Sequence, residues 1–191
     1  MLRLIACMLL AIFFIALCYG QKSTSYGISA QFYPAGIIAT LDMDKFYSEK
    51  SSMLLRAGCN LIERHDFSDV NDHEAGFGLG ASVGYRKHFL LKKGEIIAAF
   101  NTDLWNEWIN WENSLGLPEE TTGQTYTLVL QPWLQTGYFT KVNKSSLQYG
   151  ITAGFGREIN VITDGREVAQ GWIGSILLHF QYLVSKNDRD K

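Results

Sequence analysis

The sequence predicts an all-β chain, an eight-stranded antiparallel up-and-down transmembrane β-barrel, and three observations carry that prediction. Past residue 21 no segment sustains apolar residues at i, i+3, i+4 and i+7, and no apolar run reaches helix-spanning length. Period-two alternation recurs instead in eight segments, the even count that a closed membrane barrel requires. The alternation also has an inverted sense, with large apolar side chains on one face and polar residues or glycine on the other. A soluble sandwich or ligand-carrying barrel would bury its apolar face, whereas a wall standing in lipid turns that face outward.

The chain opens MLRLIACMLLAIFFIALCYGQ, in which Arg3 precedes an apolar run of 14 residues from Leu4 to Leu17. That run is short for a spanning helix, and the small residues Cys18 and Gly20 fit a cleavage site, so residues 1–20 read as a cleaved signal peptide, with lipoprotein processing at Cys18 as the rival. Residues 21–191 then form a single outer-membrane β-barrel domain. Without Arg3 the mature chain holds 16 basic against 19 acidic residues, a mild imbalance that argues against a nucleic-acid partner. Cys59 is the one cysteine past the signal, so no internal disulfide staples this exported domain.

The first strand covers about 25 to 33 (SYGISAQFY) and ends in Tyr33-Pro34-Ala35-Gly36, which suits a tight turn. The second, 37 to 47, sets Leu41 and Met43 outward and Asp42 and Asp44 inward; the third, 52 to 64, sets Met53, Leu55, Ala57 and Leu61 outward and Arg56, Asn60 and Arg64 inward. In the fourth, 76 to 89, Gly76, Gly78, Gly80 and Gly84 share the parity of Arg86 and oppose Phe77, Leu79, Val83 and Tyr85. Eight strands enclose an interior that side chains just fill, so a glycine row inside makes room for large neighbours such as Trp105 or Trp133. The fifth, 95 to 108, turns Asp103 inward, and the sixth, 125 to 140, turns Gln131 and Gln135 inward. Pro132, on the outer face of the sixth, removes a ladder donor and predicts a bulge. The seventh, 146 to 160, carries Glu158 inward, and the eighth, 170 to 184, carries His179 and Gln181. Aromatic residues near strand ends (Phe46, Tyr47, Tyr85, Phe89, Tyr126, Tyr138, Phe139 and Tyr182) read as interfacial girdles. The short connections SEKSS, LLKKGE and KVNKSS alternate with longer stretches at 65 to 75, 109 to 124 and 161 to 169. That rhythm implies short periplasmic turns, longer outer loops, and periplasmic termini with a short polar tail over 185–191.

The signal, FGLGASVGYRKHF, NTDLWNEWINWENSLGLP, VLQPWLQTGY and FGREINVITDGREVAQG together resemble the small outer-membrane β-barrel proteins of Bacteroidetes-type bacteria, over most of residues 26 to 184. The resemblance implies the fold and an outer-membrane location in a Gram-negative cell, and implies no particular activity. The polar tail after Phe180 and Tyr182 departs from the terminal aromatic residue with which many such barrels end.

Function is less specified. Asp42, Asp44, Arg56, Arg64, Arg86, Asp103, Glu158 and His179 form a candidate lumen network, since charges in a narrow barrel are costly unless paired, and mixed signs suggest a plug rather than a pore. None of His65, His73, His88 and His179 stands in the His-x-Ser pattern of the outer-membrane lipid A deacylases, and on an extended strand His179 and Ser175 lie too far apart to act as base and nucleophile. The expectation is therefore a non-catalytic barrel with a structural or interaction role, without cofactor. A narrow channel or carrier for a small solute is the alternative, and a lipid-modifying enzyme the third reading. Trp105, Glu107, Trp108, Trp111 and Glu112 are read as an outer-loop patch for an extracellular protein or glycan. Asp66, Asp69 and Asp72 are a weak oxygen-rich set for metal without EF-hand spacing, so no metal is expected. The remaining partners are outer-membrane lipid and the assembly machinery, with the chain a monomer.

Overall fold

Alternation of face carries each of the eight expected segments into a strand. The computed structural model describes residues 23–65, 71–113, 121–142 and 145–185. Its strands are β1 (Ser23–Tyr33), β2 (Gly36–Ser48), β3 (Ser51–His65), β4 (His73–Leu91), β5 (Gly94–Asn113), β6 (Thr121–Lys141), β7 (Leu147–Asp164) and β8 (Gly171–Ser185). Each pairs antiparallel with its sequence neighbour, and β1 pairs with β8, so the sheet closes into an eight-stranded up-and-down barrel. No helix occurs among the described residues. The expected signal peptide and the tail beyond Ser185 lie outside them.

The two ends of the barrel differ. One carries both ends of the described chain and the short turns at 49–50 and 92–93; the other, the far end, carries the 66–72, 114–120 and 165–170 connections. At that far end the strands run further than the sequence pattern suggests, because β4 begins at His73, β5 continues to Asn113, and β6 begins at Thr121. The segment TTGQTY is polar enough to resemble a loop, yet its threonines and aromatic residue pair squarely with Trp108–Asn113, which is how β-branched and aromatic side chains stabilise a ladder. The Pro34–Ala35 turn is tight, as expected. Gly36 adopts φ +146°, which favours glycine, and the Ala35 carbonyl accepts from the Glu63 amide at 2.9 Å.

The outer wall is apolar. Leu41 is 70 % and Leu134 65 % exposed, and Ile28, Leu79, Val83, Leu104, Ile151 and Leu178 stand on the same face. Exposed aromatic residues fringe it at both ends, Tyr26, Tyr85, Tyr149 and Tyr182 at one, Phe77, Trp108 and Trp172 at the other. Phe139 departs from the girdle, since its parity points it inward, where it packs with Ile97 and Ala99.

Nor is the interior uniformly polar. Tyr33, Ile38, Trp105, Val129, Trp133 and Ile173 form one apolar cluster, and Ile62, Ile109 and Val168 another. The inward glycines make these clusters possible. A Cβ on Gly80 would strike the Trp105 ring, one on Gly156 the Trp133 ring, and one on Gly150 the Phe139 ring. Trp105, Trp133 and Phe139 therefore each lie across a glycine on a neighbouring strand. The bulge expected at Pro132 is displaced. The β6–β7 register shifts between Leu128 and Val129, and carries no pair at Gln131 or Pro132, whereas Pro132 pairs normally with Thr102 on its β5 side. Proline lacks its donor only toward one neighbour, so the irregularity is confined to that edge.

Candidate functional site: the filled lumen

Register builds the lumen network before any side chain turns. Arg56 on β3 faces Ser82 on β4, which faces Asp103 on β5, which faces Gln131 on β6. The Arg56 guanidinium donates from one nitrogen to both oxygens of Asp103, at 2.9 and 3.0 Å, from Nε to Ser82 Oγ at 3.1 Å, and from its third nitrogen to Gln31 Oε1 at 3.2 Å. Asp103 also accepts from Ser82 Oγ and from the indole of Trp133. Both ions of this central knot are fully buried. Paired and hydrogen-bonded on every side, they meet the condition under which a buried charge is tolerated.

A second knot closes the far end. Arg64 faces Glu74 across the β3–β4 ladder and donates to it at 2.7 Å, to Glu158 on β7 at 2.9 Å, and to the Ala169 carbonyl at 3.1 Å. The 165–170 connection is thereby drawn into the mouth. The Ala169 amide donates to Glu74, the Glu167 carbonyl accepts from Asn71, Thr125 Oγ1 donates to the Arg166 carbonyl, and Val168 packs on Ile62 and Ile109. Nothing in the polar composition of this segment distinguishes a loop folded inward from one in solvent.

The third knot, near the chain ends, joins Arg86 to Asp44, which also accepts from Ser52 and Gln181. Ser52 bonds His88 Nε2 at 2.8 Å, and His88 Nδ1 lies 3.1 Å from Glu95. In the three knots no ion-pair side chain among the arginines and acids exposes more than 2 %. Between them Asp42 Oδ1 accepts from Ser29 and Thr40, while its Oδ2 stands 3.6 Å from His179 Nδ1; His179 Nε2 lies 3.1 Å from Thr152 Oγ1.

All eight candidate network residues thus sit in the lumen, divided among three ion-pair knots and the Asp42–His179 contact. The sequence reading missed Glu74 and Glu107. Glu74 shares the parity of the glycine row two residues before the expected start of the fourth strand, and Glu107 shares that of Asp103 inside the expected fifth strand, so carrying the alternation through both would have found them. Glu107 accepts from Asn60 at 2.8 Å and has no ion-pair partner among the described residues.

The patch expected from Trp105, Glu107, Trp108, Trp111 and Glu112 is a correction. β5 continues through all five, and alternation divides them between faces. Trp105 and Glu107 are buried in the lumen. Trp111 lies inside the rim against Ile62 and Ile109, with the Arg166 guanidinium over its ring at 4.8 Å. Only Trp108 and Glu112 remain on the outer face. Among the metal candidates, Asp66 and Asp69 lie outside the described residues, and Asp72 donates its backbone amide to the Glu112 carbonyl.

The acid–imidazole–hydroxyl line of Asp42, His179 and Thr152 is the arrangement nearest to a catalytic one, and the Ser175 test in the sequence passed over it. All three side chains are nearly inaccessible, and a base needs a substrate within hydrogen-bond reach.

No family model matches the chain, and no curated protein does. Among solved structures it is similar to the N-terminal β-barrel domain of OprF from Pseudomonas aeruginosa, at 15 % identity over 85 % of this chain and 99 % of that one, TM-score 0.42. Neisserial surface protein A aligns at 10 % identity over 84 % and 95 % of the two chains, TM-score 0.46. Ail, the attachment invasion locus protein of Yersinia pestis, aligns at 12 % identity over 86 % and 98 %, TM-score 0.41.

Proposed function

We propose that the chain is a small outer-membrane β-barrel of a Gram-negative bacterium, exported through a cleaved signal peptide, with a plugged, non-catalytic lumen and a structural or interaction role. Its far end faces outside and its termini the periplasm, and on the segments quoted above it joins the small barrels of Bacteroidetes-type bacteria. One observation carries the reading: an apolar outer wall surrounds a lumen in which Arg56, Arg64 and Arg86 are each paired with a buried acid. Lipid is the medium in which such a wall is stable, because every strand is paired and no open edge remains. Conduction needs a wet path, and three ion-pair knots with Trp105 and Trp133 between them support the plug over the channel. Catalysis needs access, which the Asp42–His179–Thr152 line lacks. What remains for function is the outward surface, for which an extracellular protein or glycan is the proposed partner, with the chain acting as a monomer.

The test is gel migration of the protein extracted from isolated outer membranes, run with and without heating, followed by single-channel recording after reconstitution. Faster migration without heating and no conductance are expected. Extraction without detergent would remove the membrane assignment, and a stable conductance would replace the plug by the channel.

A further inference from the structure

On the outer face of the far rim the ladders collect a second group of titratable side chains that the lumen does not use. His65 on β3 and His73 on β4 are direct cross-strand partners, Glu63 lies two residues before His65 on the same face, and Glu112 on β5 is the cross-strand partner of His73. The two imidazoles stack with centroids 4.3 Å apart and planes at 8°. Glu63 Oε1 stands 2.7 Å from His73 Nε2 and 3.5 Å from His65 Nε2. Side-chain exposure is 62 % for Glu63, 71 % for His65 and 28 % for His73, so the group opens to solvent.

We propose that Glu63, His65 and His73 form an open binding site for a divalent first-row transition ion of the Zn²⁺ kind. Two imidazoles and one carboxylate are the donor set such ions take, and three protein ligands leave a fourth position to water. Hard ions such as Ca²⁺ and Mg²⁺ select oxygen and would gain nothing from two imidazoles. One potential ligand atom from each residue already lies within 4.8 Å of the other two. Bonds of about 2 Å in a tetrahedron place donors about 3.3 Å apart, so each side chain moves on the order of 1 Å. The backbone need not move, because direct cross-strand partners hold their Cβ atoms about 5 Å apart. Glu112 Oε2 lies 4.0 Å from His73 Nδ1, where it orients the ring once Nε2 turns to the ion, as carboxylates behind metal-bound histidines do. The ion would clamp β3 to β4 at the base of the 66–72 connection. This inference holds whether or not the apolar wall meets lipid.

Titration calorimetry of the full chain, refolded in detergent, with Zn²⁺ tests it. One ion per chain is expected, with affinity reduced at least about tenfold by His65→Ala or His73→Ala and about tenfold by Glu112→Gln. Co²⁺ in place of Zn²⁺ should give the visible absorption of a low-coordinate ion, and His73→Ala should remove it. Because these side chains are exposed, unheated gel migration of each variant should match the parent and show that the barrel is intact. Absence of saturable binding, or binding that survives the combined His65→Ala and His73→Ala change in an intact barrel, would overturn the site.

Discussion

Arg56 and Glu107 occupy the same lumen and answer opposite questions about buried charge. Arg56 is matched by Asp103, Ser82 and Gln31, so truncation leaves the Asp103 carboxylate buried without a cation. Arg56→Ala should cost about 3–5 kcal/mol in urea unfolding of the refolded barrel, and adding Asp103→Leu should recover much of that loss. Glu107 accepts from the Asn60 amide and has no ion-pair partner among the described residues. Since Asn60 can donate to a neutral amide oxygen as well, Glu107→Gln should leave stability unchanged or raise it by about 1 kcal/mol. The glycines are equally specific. A Cβ at Gly150 would come within 2.5 to 2.7 Å of three ring carbons of Phe139, so Gly150→Ala should destabilise by about 1–3 kcal/mol. In a Phe139→Leu background that penalty should shrink, and a double-mutant cycle measures the coupling. The glycine parity in FGLGASVG was readable from sequence because it needs only period two. Which ring each glycine accommodates was not, because that depends on strand stagger around a closed sheet.

The strands themselves were readable, and their far ends were not. Alternation assigned faces correctly for Asp42, Arg56, Arg86, Asp103 and His179, since one buried face fixes register. It gave out where both faces become polar, at TTGQTY and at HDFSDVNDHE, and with the start of β4 went the placement of Glu74; Trp105 and Glu107 lay within the expected fifth strand, where reading the tryptophan-rich stretch as an outer loop overrode the parity that turns them inward. The inward fold of 165–170 also left no local mark, because its anchors Arg64, Glu74 and Thr125 belong to other strands. That connection supplies its own prediction. Glu74→Gln weakens both the Arg64 ion pair and the bond to the Ala169 amide, each a hydrogen bond to a charged group. Hydrogen exchange at Ala169 should accelerate by about 10–100-fold, while Asn101→Ala, on the near side of the central knot, should leave it unchanged.

Taken whole, the molecule is a ring of local hairpins and one long-range seam. Seven of its strand pairings join sequence neighbours, and the eighth joins β1 to β8, with Ser23 opposite Ser185. The hairpins can form as soon as their residues are available, but the seam requires both ends of the domain. Until then β1 and β8 present unpaired backbone, the condition in which strands pair with the wrong partner. Closure of the β1–β8 seam is therefore expected to be the slowest pairing to form, since contacts distant in sequence carry the largest loop-closure penalty. A chain cut short before β8 would lose more than one strand of eight. It would keep the six hairpin pairings from β1–β2 to β6–β7 and be left with two sticky borders, on β1 and on β7, so the final fifteen residues of the ladder cover both open edges at once.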